Sequence, residues 1–346
     1  MKLVSPSYSF ASAYLKGEEA RCVTSDHVEG MLQRTSTVRE AIETIRSTDI
    51  GDHLWEQPVN RIDELDEALW DYLRFCRNRL AAFRLPRDMA LLMDLYLRKY
   101  DLLNVKIALR KVTGKELPPP VPMGDIYELG YLDELMMAET VRDINEVLVK
   151  ADFIDYGDVL EGIRDLDRRS LIDGEAGIDN RYFNHLLHAV SDMIDGAILA
   201  TALITIIDST NLSLLFRSSF RKTDTSSEFF LLGGQAFPEA TLRELLTVKP
   251  LEITAHLEGT DYELAAQELV KLYDKTGMID AVDRVVEKHK YKVLQDLLSP
   301  RVLSPCNLLW YFLLKELEIR NVRLLLKTVN DGVEPSETRD YLVMLS

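Results

Sequence analysis

The feature that most constrains this fold is a frame of three polar residues that recurs three times in apolar, helix-patterned sequence. In each copy an asparagine follows an acid by three residues, and a base follows the asparagine by six. The copies are Asp101–Asn104–Arg110, Asp208–Asn211–Arg217 and Glu318–Asn321–Lys327. The asparagines lie 107 and 110 positions apart. This spacing predicts that one helical module is used three times.

Flanking sequence supports the repeat. The segment around Thr140 reads TVRD where the segment around Thr37 reads TVRE, and MIDAVDRVVEKHKYKVLQDLL resembles RIDELDEALWDYLRFCRNRL. Ile62 precedes the first asparagine by 42 residues, and Ile279 precedes the third by the same 42. We therefore predict helical modules at residues 1–117, 118–222 and 223–346, with linkers at 116–125 and from Arg217 onward.

Apolar residues follow helical spacing throughout, and no segment alternates with the period of a strand, which predicts an all-α fold. Proline favours the first turn of a helix, so long helices are expected to begin at Pro86, running to about Val112, and at Pro305. Ser304 is a suitable cap for the latter. Asp179 or Asn180 is expected to cap the long helix of the middle module.

Composition limits the classes of function. The formal charge of −16 argues against binding nucleic acid or an anionic membrane surface, because such binding requires clustered lysine and arginine. Three widely separated cysteines favour reduced thiols in a cytoplasmic protein. The longest apolar run, residues 196–207, is shorter than the roughly 20 residues of a membrane span, and no signal peptide is recognised. We expect a soluble protein.

The repeated frame does not predict an active site. Residues three apart share a helix face, so the acid and the asparagine are neighbours. The base lies about 900° of helical rotation after the acid, on the opposite side. We expect the asparagine to bond the backbone of a neighbouring helix end or loop, because a buried unpaired amide is costly.

A metal site is the alternative hypothesis. His185, His188, Asp192 and Asp195 are spaced for one helical stripe, which suggests an all-helical metal-dependent enzyme with its site in a central cavity. No Glu-x-x-His motif completes such a site, so a polar face is the favoured interpretation. The pair Gly233–Gly234 lacks the strand and helix that flank a phosphate-binding loop. No catalytic residue, cofactor, metal or direct nucleotide binding is predicted.

Four segments carry a resemblance to a known family. They are EEARCVTSDHVEGML near the N-terminus, YDLLNVKIALR, DSTNLSLLFR and YFLLKELEIRNVRLLLK. With these segments the chain resembles the C-subunit family of rotary V-type and A-type ATPases (ATP synthases), which includes the d subunit of the eukaryotic V-ATPase. A generic helical-repeat adaptor is disfavoured, because its repeats would be roughly 34 to 47 residues long.

The resemblance implies a funnel of three similar helical modules around a pseudo-three-fold axis, with a central cavity. It implies a non-catalytic subunit that receives the tip of the central-stalk coiled coil and sits on the proteolipid rotor ring. Such a subunit would be cytoplasmic, peripheral to the membrane through the ring, and would couple the stalk to ion transport.

Overall fold

All regular structure in the described part of the chain is helical. The computed structural model describes residues 6–59, 62–114, 118–161, 163, 168–221 and 230–345. Within these ranges there are α-helices and one short 3-10 helix, and no strand. The predicted all-α fold is confirmed.

The first third of the chain consists of short helices followed by long ones. They are α1 (Pro6–Glu19), α2 (Ser25–Arg34), α3 (Val38–Thr44), α4 (Asp49–Glu56), α5 (Ile62–Ala81), α6 (Arg87–Leu97) and α7 (Lys99–Val112). The long helix predicted from Pro86 to Val112 is therefore two helices that meet at Arg98. Arg98 keeps helical torsion angles, and the backbone bonds from Arg98 to Asp94 and from Leu102 to Arg98 are retained. The interruption is local.

The rest of the chain repeats this order. The middle part contains α8 (Asp125–Glu128), α9 (Leu132–Met137), α10 (Val141–Lys150), a 3-10 turn (Ile154–Tyr156), α11 (Gly157–Glu161), α12 (Arg168–Val190) and α13 (Gly196–Arg221). The last part contains α14 (Glu239–Leu245), α15 (Pro250–His256), α16 (Glu263–Thr276), α17 (Ala281–Leu298), α18 (Pro305–Asp331) and α19 (Pro335–Arg339). The predicted second linker begins later than Arg217, because α13 continues through Arg221; residues 222–229 lie outside the described residues.

The TVRE and TVRD segments begin equivalent helices. The hydroxyl of Thr37 accepts from the backbone N–H of Glu40 at 3.2 Å, and Thr140 accepts from that of Asp143 at 3.2 Å. In both cases the acid returns a bond to the backbone just before the helix, at Ser36 and Thr140. These reciprocal bonds satisfy N–H groups that a helix start leaves open.

One of the predicted caps of the long helices is present and the other is not. Ser304 caps α18 through its hydroxyl, which accepts from the backbone N–H of Cys306 at 3.2 Å, as predicted. The prediction of a cap at Asp179 or Asn180 is wrong, because both lie inside α12. Asp179 accepts from the Lys106 ammonium group at 2.7 Å, and Asn180 bonds the backbone of residues 230 and 232. Their polar groups make tertiary contacts.

The fold divides into two compact units. The first comprises residues 1–93, 193–198 and 291–346, and α18 forms its centre, packed against α1, α2, α3 and α5. Three successive aromatic residues of α18, Trp310, Tyr311 and Phe312, are buried there.

The second unit comprises residues 94–192 and 199–290. Within it α7 packs against α9, α10 and α12, and an apolar cluster joins α13 to α14–α17. Helix α13 is long and apolar enough to cross a membrane, and 56% of its most apolar window is buried within the protein. That burial is typical of a core helix.

Candidate functional site

The asparagine of each repeated frame pairs with the backbone of one residue further along the chain, which lies in the loop after the helix in the first two frames and beyond α19 in the third. Asn104 pairs with Val121, Asn211 with Leu231, and Asn321 with Val343. Each side-chain amide donates to the carbonyl oxygen at 2.8–2.9 Å. Each amide oxygen accepts from the N–H of the same residue, at 2.8, 2.9 and 3.4 Å in chain order. The asparagines replace the backbone partners that these buried loop residues lack.

The acids of the first two frames hold the loop a few residues further on. Asp101 accepts from the backbone N–H groups of Asp125 at 3.0 Å and Ile126 at 2.8 Å. Burial raises the pKa of Asp101 to about 7, although these two donors oppose the shift. Asp208 accepts from the three successive N–H groups of residues 235–237 at 3.0–3.3 Å. Burial likewise raises the pKa of Asp208.

A glycine lets each of these loops approach its carboxylate. A Cβ atom on Gly124, which has φ = +102°, would lie 2.3 Å from Oδ1 of Asp101. A Cβ atom on Gly234 would lie 2.2 Å from Oδ1 of Asp208. Both distances are far inside van der Waals contact, so only glycine fits without movement of the loop or the acid. The Gly233–Gly234 pair therefore adjoins a buried carboxylate.

The acid of the third frame holds the beginning of the chain. Glu318 accepts from the backbone N–H of Val23 at 2.8 Å through Oε1, although the two residues are 295 positions apart. Its other oxygen accepts from the Tyr72 hydroxyl at 3.3 Å and from the Lys315 ammonium group at 3.2 Å. The loop between α1 and α2 thus takes the place that later loops take in the first two frames.

A buried lysine distinguishes this third frame. Lys315 is fully buried and donates to the Tyr72 hydroxyl at 2.8 Å, with Asp49 at 3.8 Å. Burial alone would lower its pKa, but the nearby acidic groups, Glu318 foremost, raise it above its ordinary value. Lys315 is therefore charged, and its neighbouring carboxylates balance that charge in the interior.

A third carboxyl group lies near this lysine. Glu18 on α1 accepts from Arg79 at 3.2 Å. Burial, reinforced by the carboxyl group of Asp49, raises the pKa of Glu18 to about 7, while Arg79 opposes the shift. The helix α1 is thus attached beside the third frame through a group that titrates near neutral pH.

The bases of the first two frames form ion pairs with another helix, and in the third frame Arg323 forms that pair in place of Lys327. Arg110 forms a two-pronged ion pair with Glu175 of α12, with both N–O distances 2.6 Å, and Arg217 pairs with Asp283 of α17. In the third frame Asp66 of α5 is held by Arg323 at 2.5 and 2.6 Å. These bonds, with a smaller contribution from Lys327, lower the pKa of Asp66.

The three frames therefore make one pattern of contacts, and we call each frame with its partners a joint. In the first joint α7 contacts residues 121–126 and α12, and in the second α13 contacts residues 231–237 and α17. In the third joint α18 contacts Val343, Val23 and α5. Each joint attaches its helix to the stretch of chain that follows, and the last joint attaches to the first stretch.

Sequence reasoning missed most of these partners. The acid and base partners lie on other elements, and Val23 gives no signal at all. The sequence carried one signal for the acids that pair with the basic residues. Asp66 and Asp283 are separated by the same 217 positions as Ile62 and Ile279. The equivalent placement of these two acids is visible in the aligned segments.

The metal hypothesis is not supported. Helix α12 ends at Val190, so Asp192 and Asp195 do not continue the helical stripe of His185 and His188. Asp195 has φ = +56°, in the turn before α13. Burial lowers the pKa of His185, whose ring contacts Tyr156. Among the residues that the structure describes, no three His, Cys, Asp or Glu side chains are grouped to bind a metal.

Comparison with known proteins gives the family. Residues 11–341 match the model of the ATP synthase (C/AC39) subunit family. The chain belongs to this family. The ATP synthase (C/AC39) match includes the acid and the asparagine of all three frames, and it confirms the resemblance drawn from the four sequence segments.

Relatives in the ATP synthase (C/AC39) family are similar over nearly their whole length. The C subunit of the A-type ATP synthase of Methanocaldococcus jannaschii is 23% identical, covering 98% of this chain and 86% of the relative. The corresponding protein of Pyrococcus abyssi is also 23% identical, over 97% and 90%. That of Halobacterium salinarum is 24% identical, over 90% and 87%.

Proposed function

We propose that this chain is the non-catalytic central-stalk socket of a rotary A-type or V-type ATPase. It couples the central stalk to the membrane proteolipid ring during ATP-linked proton or sodium transport. The observation that carries the proposal is the family match over residues 11–341, which includes all three repeated frames. The relatives are themselves named subunits of an A-type ATP synthase.

The proposed architecture is three similar helical modules around a pseudo-three-fold axis, with a cavity that receives the stalk tip. The repeated joint supports it, because the same three kinds of contact attach each module to the next in cyclic order. The buried asparagine and the carboxylate–backbone bonds fix the angle at which each loop leaves its helix. A structure that transmits torque needs such fixed attachments.

A non-catalytic role agrees with the chemistry of the joints. The acids bond backbone N–H groups within the chain, and Arg110 and Arg217 form ion pairs with acids on neighbouring helices. These side chains are occupied, so they do not offer a free acid, base or nucleophile to a substrate. The expected partners are the coiled-coil stalk subunit and the rotor ring, which places the chain on the cytoplasmic side of the membrane.

A tagged pull-down from detergent-solubilised native membranes tests the proposal. We expect nucleotide-binding subunits and a small proteolipid to co-purify in fixed ratio with the tagged chain. The Asn211→Ala variant is compared with the wild type in the same experiment. Because this substitution loosens the second joint, it should reduce recovery of both partners without altering the expression level of the tagged chain. Recovery of the chain alone, or ATP hydrolysis that co-elutes with the isolated chain through every column, would contradict the proposal.

A further inference from the structure

Two pairs of short helices, α3–α4 in the first predicted module and α15–α16 in the third, are equivalent. Helices α3 and α15 both have seven residues and begin at positions 38 and 250, which are 212 positions apart. After each, a threonine hydroxyl donates to the backbone carbonyl three residues back at 2.7 Å, from Thr48 and from Thr260. The following helix buries Leu54 in one pair and Ala266 in the other, again 212 positions apart. This offset therefore matches the two pairs residue by residue.

In the α3–α4 pair an indole ring bridges the two helices. Trp55 of α4 is partly buried. The guanidinium groups of Arg39 on α3 and of Arg46 just after it lie over the ring, with their carbon atoms 3.8 and 4.7 Å from its centroid. Arg39 also donates to the backbone carbonyl of Trp55 at 3.0 Å. The first module thus places an aromatic ring of its own against two cations, an attractive arrangement.

The α15–α16 pair has no ring at the equivalent place. The offset puts Gln267 at the position of Trp55, and it puts Leu251 at the position of Arg39. The Gln267 amide donates to Glu263 within α16 at 3.0 Å, and Leu251 is 71% exposed. Both residues line a groove of about 560 Å³ beside α15 and α16. This groove corresponds to the place that the indole ring occupies in the first module.

The groove has the chemistry of a site for an aromatic ring. Its apolar side consists of Leu251 and of Val270, which is partly buried and packs against the apolar cluster below. Lys271 and Lys275, one helical turn apart on α16, also line it, with Asp274 beside them. Within the part of the chain that the structure describes, neither lysine forms an ion pair. Their ammonium groups can attract the face of an aromatic ring, which an aliphatic side chain does not offer.

We propose that this groove docks an aromatic side chain, foremost tryptophan, presented by another protein chain. The ring would pack on Leu251 and Val270, with the lysines in the role that the guanidinium groups have in the first module. Leu264, which is 76% exposed and lies one turn before Gln267 on α16, extends the apolar contact. A free small molecule is disfavoured, because its sites bury most of the ligand and this groove is open along α15. The inference goes beyond the proposed function and does not depend on it.

Photo-crosslinking in native cells tests this docking. Benzoylphenylalanine in place of Asp274 samples the groove without removing its apolar side or its lysines. We expect a cross-link to a peptide of another protein that carries an aromatic residue at or beside the attached position. Gln267→Trp should lower the yield at least about tenfold, because its own ring fills the groove. Glu268→Trp is the matched control, since it adds the same ring at an exposed neighbouring position that does not line the groove, and the yield should stay unchanged.

The other outcomes each overturn part of this proposal. Equal yields from Gln267→Trp and Glu268→Trp overturn the groove as the docking site, and Leu251→Asp repeats the test if Gln267→Trp fails to fold. A cross-linked peptide without an aromatic residue overturns the ring as the docked group. A peptide from a second copy of this chain overturns a separate partner in favour of self-association. The absence of any cross-linked protein, at the expression level of the wild type, overturns the proposal as a whole.

Discussion

At the scale of single residues, the joints depend on two glycines that make room for a carboxylate. Gly124 and Gly234 lie where a loop backbone comes within hydrogen-bond distance of Asp101 and Asp208. Glycine is needed at both positions because it has no Cβ atom. A methyl group in either place would collide with a carboxylate oxygen of the acid.

Gly234→Ala should lower the free energy of unfolding by roughly 1–3 kcal/mol, because the added Cβ forces Asp208 or the loop to move. Gly17→Ala is the control: this glycine lies inside α1 with open space where a methyl group would be added, so alanine should stabilise by roughly 0.5–1 kcal/mol. Urea unfolding followed by circular dichroism measures both. Equal effects of the two substitutions would refute the close-approach argument.

Glu18 should make stability depend on pH near neutrality. Its folded pKa, about 7, lies above that of the unfolded chain, so the folded protein binds the extra proton between those values. The free energy of unfolding should therefore fall as pH rises from about 5 to about 8. Glu18→Gln cannot ionise and should reduce this slope without removing it, since burial also raises the pKa of Asp101 to about 7.

Unfolding titrations at several pH values check the sign of this dependence. Glu252→Gln, on the exposed side of α15, provides a control that removes one carboxyl group elsewhere. A slope that is the same in the wild type and in Glu18→Gln would exclude Glu18 as its source.

The sequence predicts residue-scale features only where the cause is local. Recurrence of Asn104, Asn211 and Asn321 identifies positions under a common constraint, and helix geometry separates the acid from the base. The partner of Glu318 is different in kind, because Val23 contributes only its backbone N–H and lies at the other end of the chain. No side-chain pattern encodes such a contact.

At the scale of elements, α18 organises the first compact unit and is attached there by a buried ammonium group. Its start could be predicted, because Ser304 and Pro305 form a local signal. The attachment could not, because Lys315 contacts Tyr72 and Asp49 on two other helices. The prediction that Asp179 caps a helix failed for the same reason. The Asp179 side chain bonds Lys106 on another helix, and the local sequence does not encode that contact.

Lys315→Met should destabilise the first unit by roughly 3–5 kcal/mol, because it leaves the buried carboxylate of Glu318 without its cation and Asp49 with Arg21 alone. The loop between α1 and α2 should be affected first, since Glu318 holds Val23 there. Limited proteolysis should therefore cut near residues 20–24 faster in this variant. Lys292→Met, on the exposed side of α17, is the control.

Unchanged cleavage in Lys315→Met, with stability equal to that of Lys292→Met, would contradict this assignment. Rapid cleavage elsewhere with residues 20–24 still protected would show that the lysine supports the core of the unit and not the attachment of the N-terminal loop.

At the scale of the whole molecule, two joints lie along a continuous chain and the third joins its distant parts. The all-α fold and the family follow from the sequence, because helical periodicity and repeated motifs accumulate over hundreds of residues. The module boundaries at 117 and 222 remain predictions. The contact that makes the order of the joints cyclic, Glu318 to Val23, became visible only in three dimensions.

A circularly permuted chain should fold. Joining residue 346 to residue 1 through a flexible linker and opening the chain between residues 116 and 117 leaves the first joint to hold without chain continuity. The contacts of the third joint with Val23 and α5 already hold in that way. We expect cooperative thermal unfolding by circular dichroism. A permutant opened within α13, between residues 207 and 208, is the control and should lose that cooperativity. Equal behaviour of the two permutants would refute the equivalence of the joints.

The third joint also sets where natural relatives can be recombined. Because each acid bonds a later or distant stretch of the chain, half of every joint lies in one predicted module and half in its predicted neighbour. A chimera that exchanges one module at its linkers would mismatch two joints at once. Crossover points placed after residues 126 and 237 would keep the asparagine and acid contacts of the first two joints intact, while Arg110 and Arg217 would face acids from the other parent. The third joint requires that residues around 23 and 318 be inherited from the same parent.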